Sequence, residues 1–442
     1  MTREEVQNLA LNALLPSGGT IALSTGTGKS KVAIDYILIK KPKKILITSP
    51  RTNLKENWRR ELLKWLMPEY GADWNLVHRV TIENIQTCYK WSTETIKDYD
   101  LIIIDEIHVS VGDGYGQLLI NAKKTGVKVI GLTATLDNKK SEKRLFYAAY
   151  CPIVYEFYDS ADKGFVNKRK YIIFEYTLSD LFKVEVGGRN KKWFAGEAKQ
   201  YDYIQSQLKE AEDEIRELVG AEIIDYVNYY AYADAWYRKK IESEDDDTIV
   251  KAKKRDAGRK YLSMVTARME LLWNLSSTAE LSKLMKTEIL KDLVSKVLIF
   301  SERTAQAEKI STYSIHSKNT KDRNQFLLES FDLGRIRELS SCNSLTLGLN
   351  LKGANFAIQE SYNSSSVAAN QKLGRTDRLS PDDVAIAIYI VVKETQSETW
   401  FYRSSKKMLL NAESVIVNNL IDFRTTLKQM KDEIEAEKAI KA

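Results

Sequence analysis

The sequence predicts two α/β domains, each a doubly wound parallel sheet, separated by a mainly helical block. Three observations carry that prediction. Short apolar runs at 20–23, 45–48, 101–104 and 127–132 are continuous rather than alternating, the pattern of strands buried on both faces. Amphipathic helical stretches, such as 31–39 and 54–65, lie between them, which is βαβ order. The alternation returns toward the C-terminus, with apolar runs at 297–300, 357–359 and 384–392 and helical segments at 305–313 and 321–331.

These patterns divide the chain into a first α/β domain over 1–160, a helical block over 161–289, a second α/β domain over 290–425 and a charged, solvent-facing helix over 426–442. The middle block reads as helices over 199–219 and 221–241, rich in Glu, Lys and Tyr, and a further helix over 259–291. An acidic run, Glu242-Ser-Glu-Asp-Asp-Asp247, switches to a basic one, Lys251-Ala-Lys-Lys-Arg255. Tyr226, Tyr229, Tyr230 and Tyr237, with Trp236, fall near one helical face, which is either a packing stripe or a base-stacking surface. The basic run, with Arg259 and Lys260, is either a solvated face or a track for phosphates.

Composition narrows the classes. The 442 residues are 43% hydrophobic and 29% charged, which excludes disordered, collagen-like and coiled-coil chains. Cys88, Cys151 and Cys342 have no CxxC spacing, so neither a disulfide scaffold nor a cysteine zinc site is expected. Three histidines argue against a histidine-rich metal site. The longest apolar run, 384–392, falls short of the ~20 residues that cross a bilayer. The N-terminus, MTREEVQN, lacks the layout of a signal peptide, so a cytoplasmic protein with no membrane partner is expected. The net charge of +7 permits a polyanionic partner without requiring one.

Chemistry concentrates at two motifs in the first domain. Ser24-Thr-Gly-Thr-Gly-Lys-Ser30 lies between a predicted strand and a predicted helix, the context of a phosphate-binding loop. Gly26 and Gly28, with Thr25 and Thr27 between and beside them, let backbone N–H groups turn inward on phosphate oxygens. Lys29 would place its charge on the β- and γ-phosphates, and the Ser30 hydroxyl would ligate Mg²⁺, at the positive end of the helix that follows. Leu23 stands where a small residue is usual. Asp105-Glu-Ile-His108 follows the apolar strand at 101–104, and such strand ends are where open α/β sheets bind ligands. Asp105 would share the Mg²⁺ with Ser30, Glu106 would orient and deprotonate an attacking water, and His108 would lie at the seam with the second domain.

With these residues in place, the chain resembles the superfamily 2 helicases and translocases of the DExH type. Gln7 in VQNLALNALL resembles the glutamine that precedes the phosphate loop in that family. Ser49-Pro-Arg-Thr-Asn-Leu54 with Trp58 resembles motif Ia, Val80-Thr-Ile-Glu-Asn-Ile-Gln86 motif Ib, and Thr133-Ala-Thr135 motif III. Val297-Leu-Ile-Phe-Ser-Glu-Arg303 resembles motif IV, Gly348-Leu-Asn-Leu351 motif V, and Gln371-Lys-Leu-Gly-Arg-Thr-Asp-Arg378 the QxxGRxxR of motif VI. The resemblance spans about 300 residues in the family's order.

It implies two RecA-like domains that clamp ATP with Mg²⁺ between them. Arg375 and Arg378 would then stabilise charge on the γ-phosphate, Arg378 as the arginine finger, with Gln371 nearby and Gly348 at the nucleotide. It further implies a nucleic-acid path along Arg51, Asn53, Thr81, Asn84 and Gln86 in the first domain and Ser301, Arg303 and Thr346 in the second, with His316 either on that path or a surface histidine. Ala161-Asp-Lys-Gly-Phe-Val166 resembles a step in phage UvsW-type DNA-repair translocases. An end soon after motif VI is similar to that group, and DEIH differs from the DEAD of DEAD-box enzymes. The expected function is therefore an ATP-dependent DNA helicase or translocase acting on branched or duplex DNA in a bacterial or phage-infected cell, as a monomer. An RNA helicase is the alternative. A nucleotide-gated binding module with vestigial hydrolysis, motivated by Leu23, is a third reading.

Overall fold

The computed structural model describes residues 1–24, 26–50, 52–70, 79–109, 114–134, 141–158, 163–165, 167–188, 191–220, 228–237, 248–342, 353–362, 383–409 and 412–441. Gly348, Thr346, Gln371, Arg375, Arg378, Arg51, Thr25 and Thr135 lie outside them, as do the 242–247 acidic run and Tyr226, and the Asn53 side chain is likewise not described.

Six parallel strands form the first sheet: β1 (Gly19–Leu23), β2 (Ile45–Ser49), β3 (Val80–Asn84), β4 (Leu101–Asp105), β5 (Lys128–Thr133) and β6 (Ile153–Phe157), in the order β3-β2-β4-β5-β1-β6. Its strands read as continuous apolar runs because both faces are covered. Ile45, Ile47, Leu101 and Ile103 point into one core with the helices Arg3–Leu14, Lys29–Lys40 and Thr52–Tyr70, whereas Leu46, Ile102 and Ile104 point into the other with Leu118, Leu119 and Ala122. Thr2 and Glu5 close a capping box at the start of Arg3–Leu14. Sequence analysis finds four of the six strands. The half-buried β3 and β6, at the sheet's two edges, lack the continuous apolar run it relies on.

The second sheet is wholly parallel and has seven strands. Beside β10 (Val297–Ser301), β13 (Phe356–Gln359) and β14 (Val384–Val392) it contains β7 (Lys168–Tyr176), β11 (Ser314–Ile315), β12 (Glu338–Cys342) and β15 (Ser414–Val417), in the order β11-β12-β10-β13-β14-β7-β15. Here too alternate residues part. Leu298, Phe300, Tyr389 and Val391 enter one core, and Val297, Ile299, Ile388 and Ile390 the other.

Two expectations are corrected here. β7 pairs with β14 along nine residues, so the second domain draws a strand from the 161–289 block instead of starting at 290. The C-terminal helix runs Leu420–Lys441, and Phe423, Leu427 and Met430, at helical spacing, enter the second sheet's core, so one face of it is buried and not solvent-facing.

Between β7 and β10 the chain is not solely helical. β8 (Lys183–Gly188) and β9 (Lys191–Gly196) form an antiparallel hairpin, followed by the helices Glu197–Val219, Tyr229–Tyr237, Thr248–Leu272 and Ser276–Ile289. The helix expected over 259–291 is broken at Trp273–Leu275, where Trp273 and Leu275 are buried and Trp273 donates to the Tyr362 carbonyl. Tyr229, Tyr232 and Trp236 pack on a core of Tyr201, Ile204, Leu208, Ala233 and Tyr261, so the helical aromatic stripe is mainly packing, with Tyr230 and Tyr237 left exposed. Among the described residues no helix is long and apolar enough to cross a membrane.

Candidate nucleotide site

The phosphate loop leaves β1 and opens the helix Lys29–Lys40. Gly26 and Gly28 take φ of +80° and +97°, a region L side chains rarely adopt. A Cβ at Gly28 would also displace the Gln7 amide. That amide donates to the Thr27 carbonyl at 2.8 Å, so Gln7 braces the loop from the N-terminal helix. Thr27 is fully buried, and its hydroxyl donates to the Ser24 carbonyl at 2.9 Å. The helix begins at Gly28 with no side-chain cap, which leaves first-turn N–H groups and the positive end of the dipole facing the loop. Lys29 Nζ donates to the Leu23 carbonyl at 3.2 Å. Leu23 turns its side chain wholly into the core, so its size does not alter the loop's mouth.

β4 brings the acidic motif to the same carboxyl end of the sheet, two strands away from β1 in the order β4-β5-β1. Asp105 Oδ2 accepts from Trp58 Nε1 at 3.0 Å, and Oδ1 from the Glu106 N–H at 3.0 Å. Burial, with the Glu106 charge beside it, pushes the Asp105 carboxyl up to about 6, against the opposing pull of Lys29 and the hydrogen bond from Trp58. Glu106 has φ +52°, a strained value for a residue with a Cβ, and it turns the chain sharply at the strand end. His108 Nδ1 lies 3.3 Å from Glu106 Oε2 and 3.1 Å from Thr133 Oγ1, so the turn after β4 meets the end of β5 at these three residues. Trp58 is the partner that sequence reasoning missed in this role, for a buried indole on a distant helix gives no local signal.

These groups fit a nucleotide with a divalent cation. A partly buried carboxylate held partly against its charge, a lysine within its electrostatic reach and an uncapped helix start behind two positive-φ glycines all favour a polyphosphate and its metal.

The nucleic-acid candidates separate. Asn84 ends β3 in register with Ser49, and Gln86 Nε2 donates to the Pro50 carbonyl at 2.7 Å, so Asn84 and Gln86 meet motif Ia at the carboxyl end of β2 and β3. Thr81 lies further back on β3, paired with Leu46. In the second domain Ser301 is fully buried, and His316 is buried with Nε2 3.0 Å from Glu308. Arg303 pairs through two nitrogens with Glu270, and its guanidinium stands 4.5 Å over the Trp273 ring. Ser301 and His316 therefore face packed protein, whereas Arg303, partly exposed, joins the helical block to motif IV.

Residues 2–138 match the family described as type III restriction enzyme, res subunit, and residues 279–380 match the helicase conserved C-terminal domain. The DNA 3'-5' translocase XPB2 of Sulfurisphaera tokodaii is 25% identical over 406 residues, 88% of this chain and 80% of the relative. The helicase domain of Pyrococcus furiosus Hef is similar in fold, with a TM-score of 0.51 at 16% identity over 90% of this chain and 97% of its own. S. cerevisiae Dbp5, solved with RNA and ADP BeF3, reaches a TM-score of 0.53 at 13% identity over 96% and 93%. Fold and site together define a P-loop ATP hydrolase built on two parallel-sheet domains. The two matched families and the DNA translocase relative support placing the chain among the superfamily 2 helicases.

Proposed function

We propose that this enzyme is an ATP-dependent DNA translocase that remodels branched or duplex DNA. Similarity to a DNA translocase across most of both chains is the observation that favours DNA over RNA. In this reading the loop N–H groups and Lys29 hold the β- and γ-phosphates, and Ser30 and Asp105 hold Mg²⁺, which neutralises phosphate charge. Glu106 orients the attacking water and takes its proton, and His108, against both Glu106 and Thr133, fixes the Glu106 carboxylate. Arg375, Arg378 and Gln371 supply charge to the γ-phosphate from the second domain. Hydrolysis in a site made of both domains then couples each ATP to a change in how they grip the strand.

The test is the steady-state ATPase rate without nucleic acid and with single-stranded, duplex and forked DNA and RNA. Stimulation by duplex or forked DNA is the expected result. Stimulation by RNA alone overturns the DNA assignment, and a slow rate indifferent to all of them favours a nucleotide-gated binding module.

A further inference from the structure

We propose that the β8–β9 hairpin is a base-stacking blade, with Trp193 and Phe194 receiving unpaired nucleobases where a bound strand leaves the duplex. The inference rests on the nucleic-acid reading above and assigns a ligand class to a surface outside the ATP site. Trp193 and Phe194 are adjacent in a strand, so they stand on opposite faces of a two-stranded ribbon. Trp193, opposite Val186, is 52% exposed, and Phe194, opposite Glu185, is 69% exposed. Among the described residues neither ring packs on another aromatic ring. Large apolar rings left in water on both sides of a thin ribbon are a recognition feature, not a core.

The ribbon's base is rigid, as a blade requires. An isolated two-stranded hairpin is marginal in water. Here Val184 enters the core of the helical block, and the Lys183 carbonyl accepts from Ser276 Oγ at 3.1 Å. Glu197, the first residue of the helix that follows the hairpin and fully buried, accepts from the N–H groups of Ser276 at 2.6 Å and Ser277 at 3.1 Å. The hairpin is thus tied to the start of Ser276–Ile289, three residues past Trp273, which donates to the Tyr362 carbonyl at 2.7 Å beyond the carboxyl end of β13.

Charge selects the occupant. In sequence the hairpin segment carries Lys183, Arg189, Lys191 and Lys192 against Glu185, a balance that suits the phosphates flanking a stacked base.

The test compares wild type with Trp193→Ala/Phe194→Ala on forked DNA and on single-stranded DNA. The expected result is forked-DNA unwinding slowed tenfold or more, with single-strand-stimulated ATPase within twofold of wild type and an unchanged thermal midpoint. Trp193→Phe/Phe194→Tyr, which keeps two stacking faces, restores unwinding. Unwinding by the double alanine variant at the wild-type rate leaves the rings to a protein partner and overturns the proposal. A lowered midpoint with equal loss of every activity marks a packing role and also overturns it. Wild-type ATPase that ignores every nucleic acid removes the functional reading and this proposal together, whereas stimulated wild type with an unaffected variant removes the blade alone.

Discussion

In the proposed reading Asp105 sets the pH limit of the site. Its carboxyl is held up at about 6 by burial, so the proton favours the folded state. The stabilising contribution is present below the ordinary carboxylate range and is lost as pH rises through about 6. Mg²⁺ needs the charged form. Affinity for Mg·ATP is therefore expected to fall by about tenfold per pH unit below about 6, and Asp105→Asn to abolish that dependence, both read by titration calorimetry. Trp58→Phe removes a hydrogen bond that favours the charged carboxylate, so the acid limb moves to higher pH. Gly28→Ala meets both a φ of +97° and the Gln7 amide, and is expected to cost about 1–3 kcal/mol in thermal or urea unfolding and to weaken ATP binding. Glu106→Gln keeps the shape and removes the base, so kcat is expected to fall by about 10²–10⁴ with ATP affinity retained.

At the scale of elements, the C-terminal helix is part of the second domain. Phe423 is fully buried beside Phe174, and Phe423→Ala is expected to cost about 3–5 kcal/mol in denaturant unfolding. A merely solvent-facing helix predicts no such loss. The helix hides in the sequence because most of its 22 residues are polar and its apolar stripe, buried at 423, 427 and 430, is accompanied by exposed apolar residues at 421 and 440. Strands were legible where they are buried on both faces, as at 101–104 and 384–392, and illegible where short or mixed, as at Ser314–Ile315 and Glu338–Cys342. β7 is apolar in its centre, but its place beside β14 depends on pairing across more than 200 residues, which no local pattern records. The phosphate loop and DEIH were legible because their chemistry is contiguous in sequence. The bracing by Gln7, the Trp58–Asp105 bond and the convergence of His108 with Thr133 are tertiary.

Across the whole molecule, the helical block is bound to the second sheet's carboxyl end by the Arg303–Glu270 pair and by Trp273, which donates to the Tyr362 carbonyl. A strand gripped near motif IV would therefore move the block and its hairpin with the second domain. Displacement of a third strand from a DNA triplex reads ATP-driven movement along DNA directly. Displacement is expected to require hydrolysable ATP and to be lost in Glu106→Gln. Hydrolysis stimulated by duplex DNA without any displacement, or displacement that persists in Glu106→Gln, would contradict ATP-driven movement.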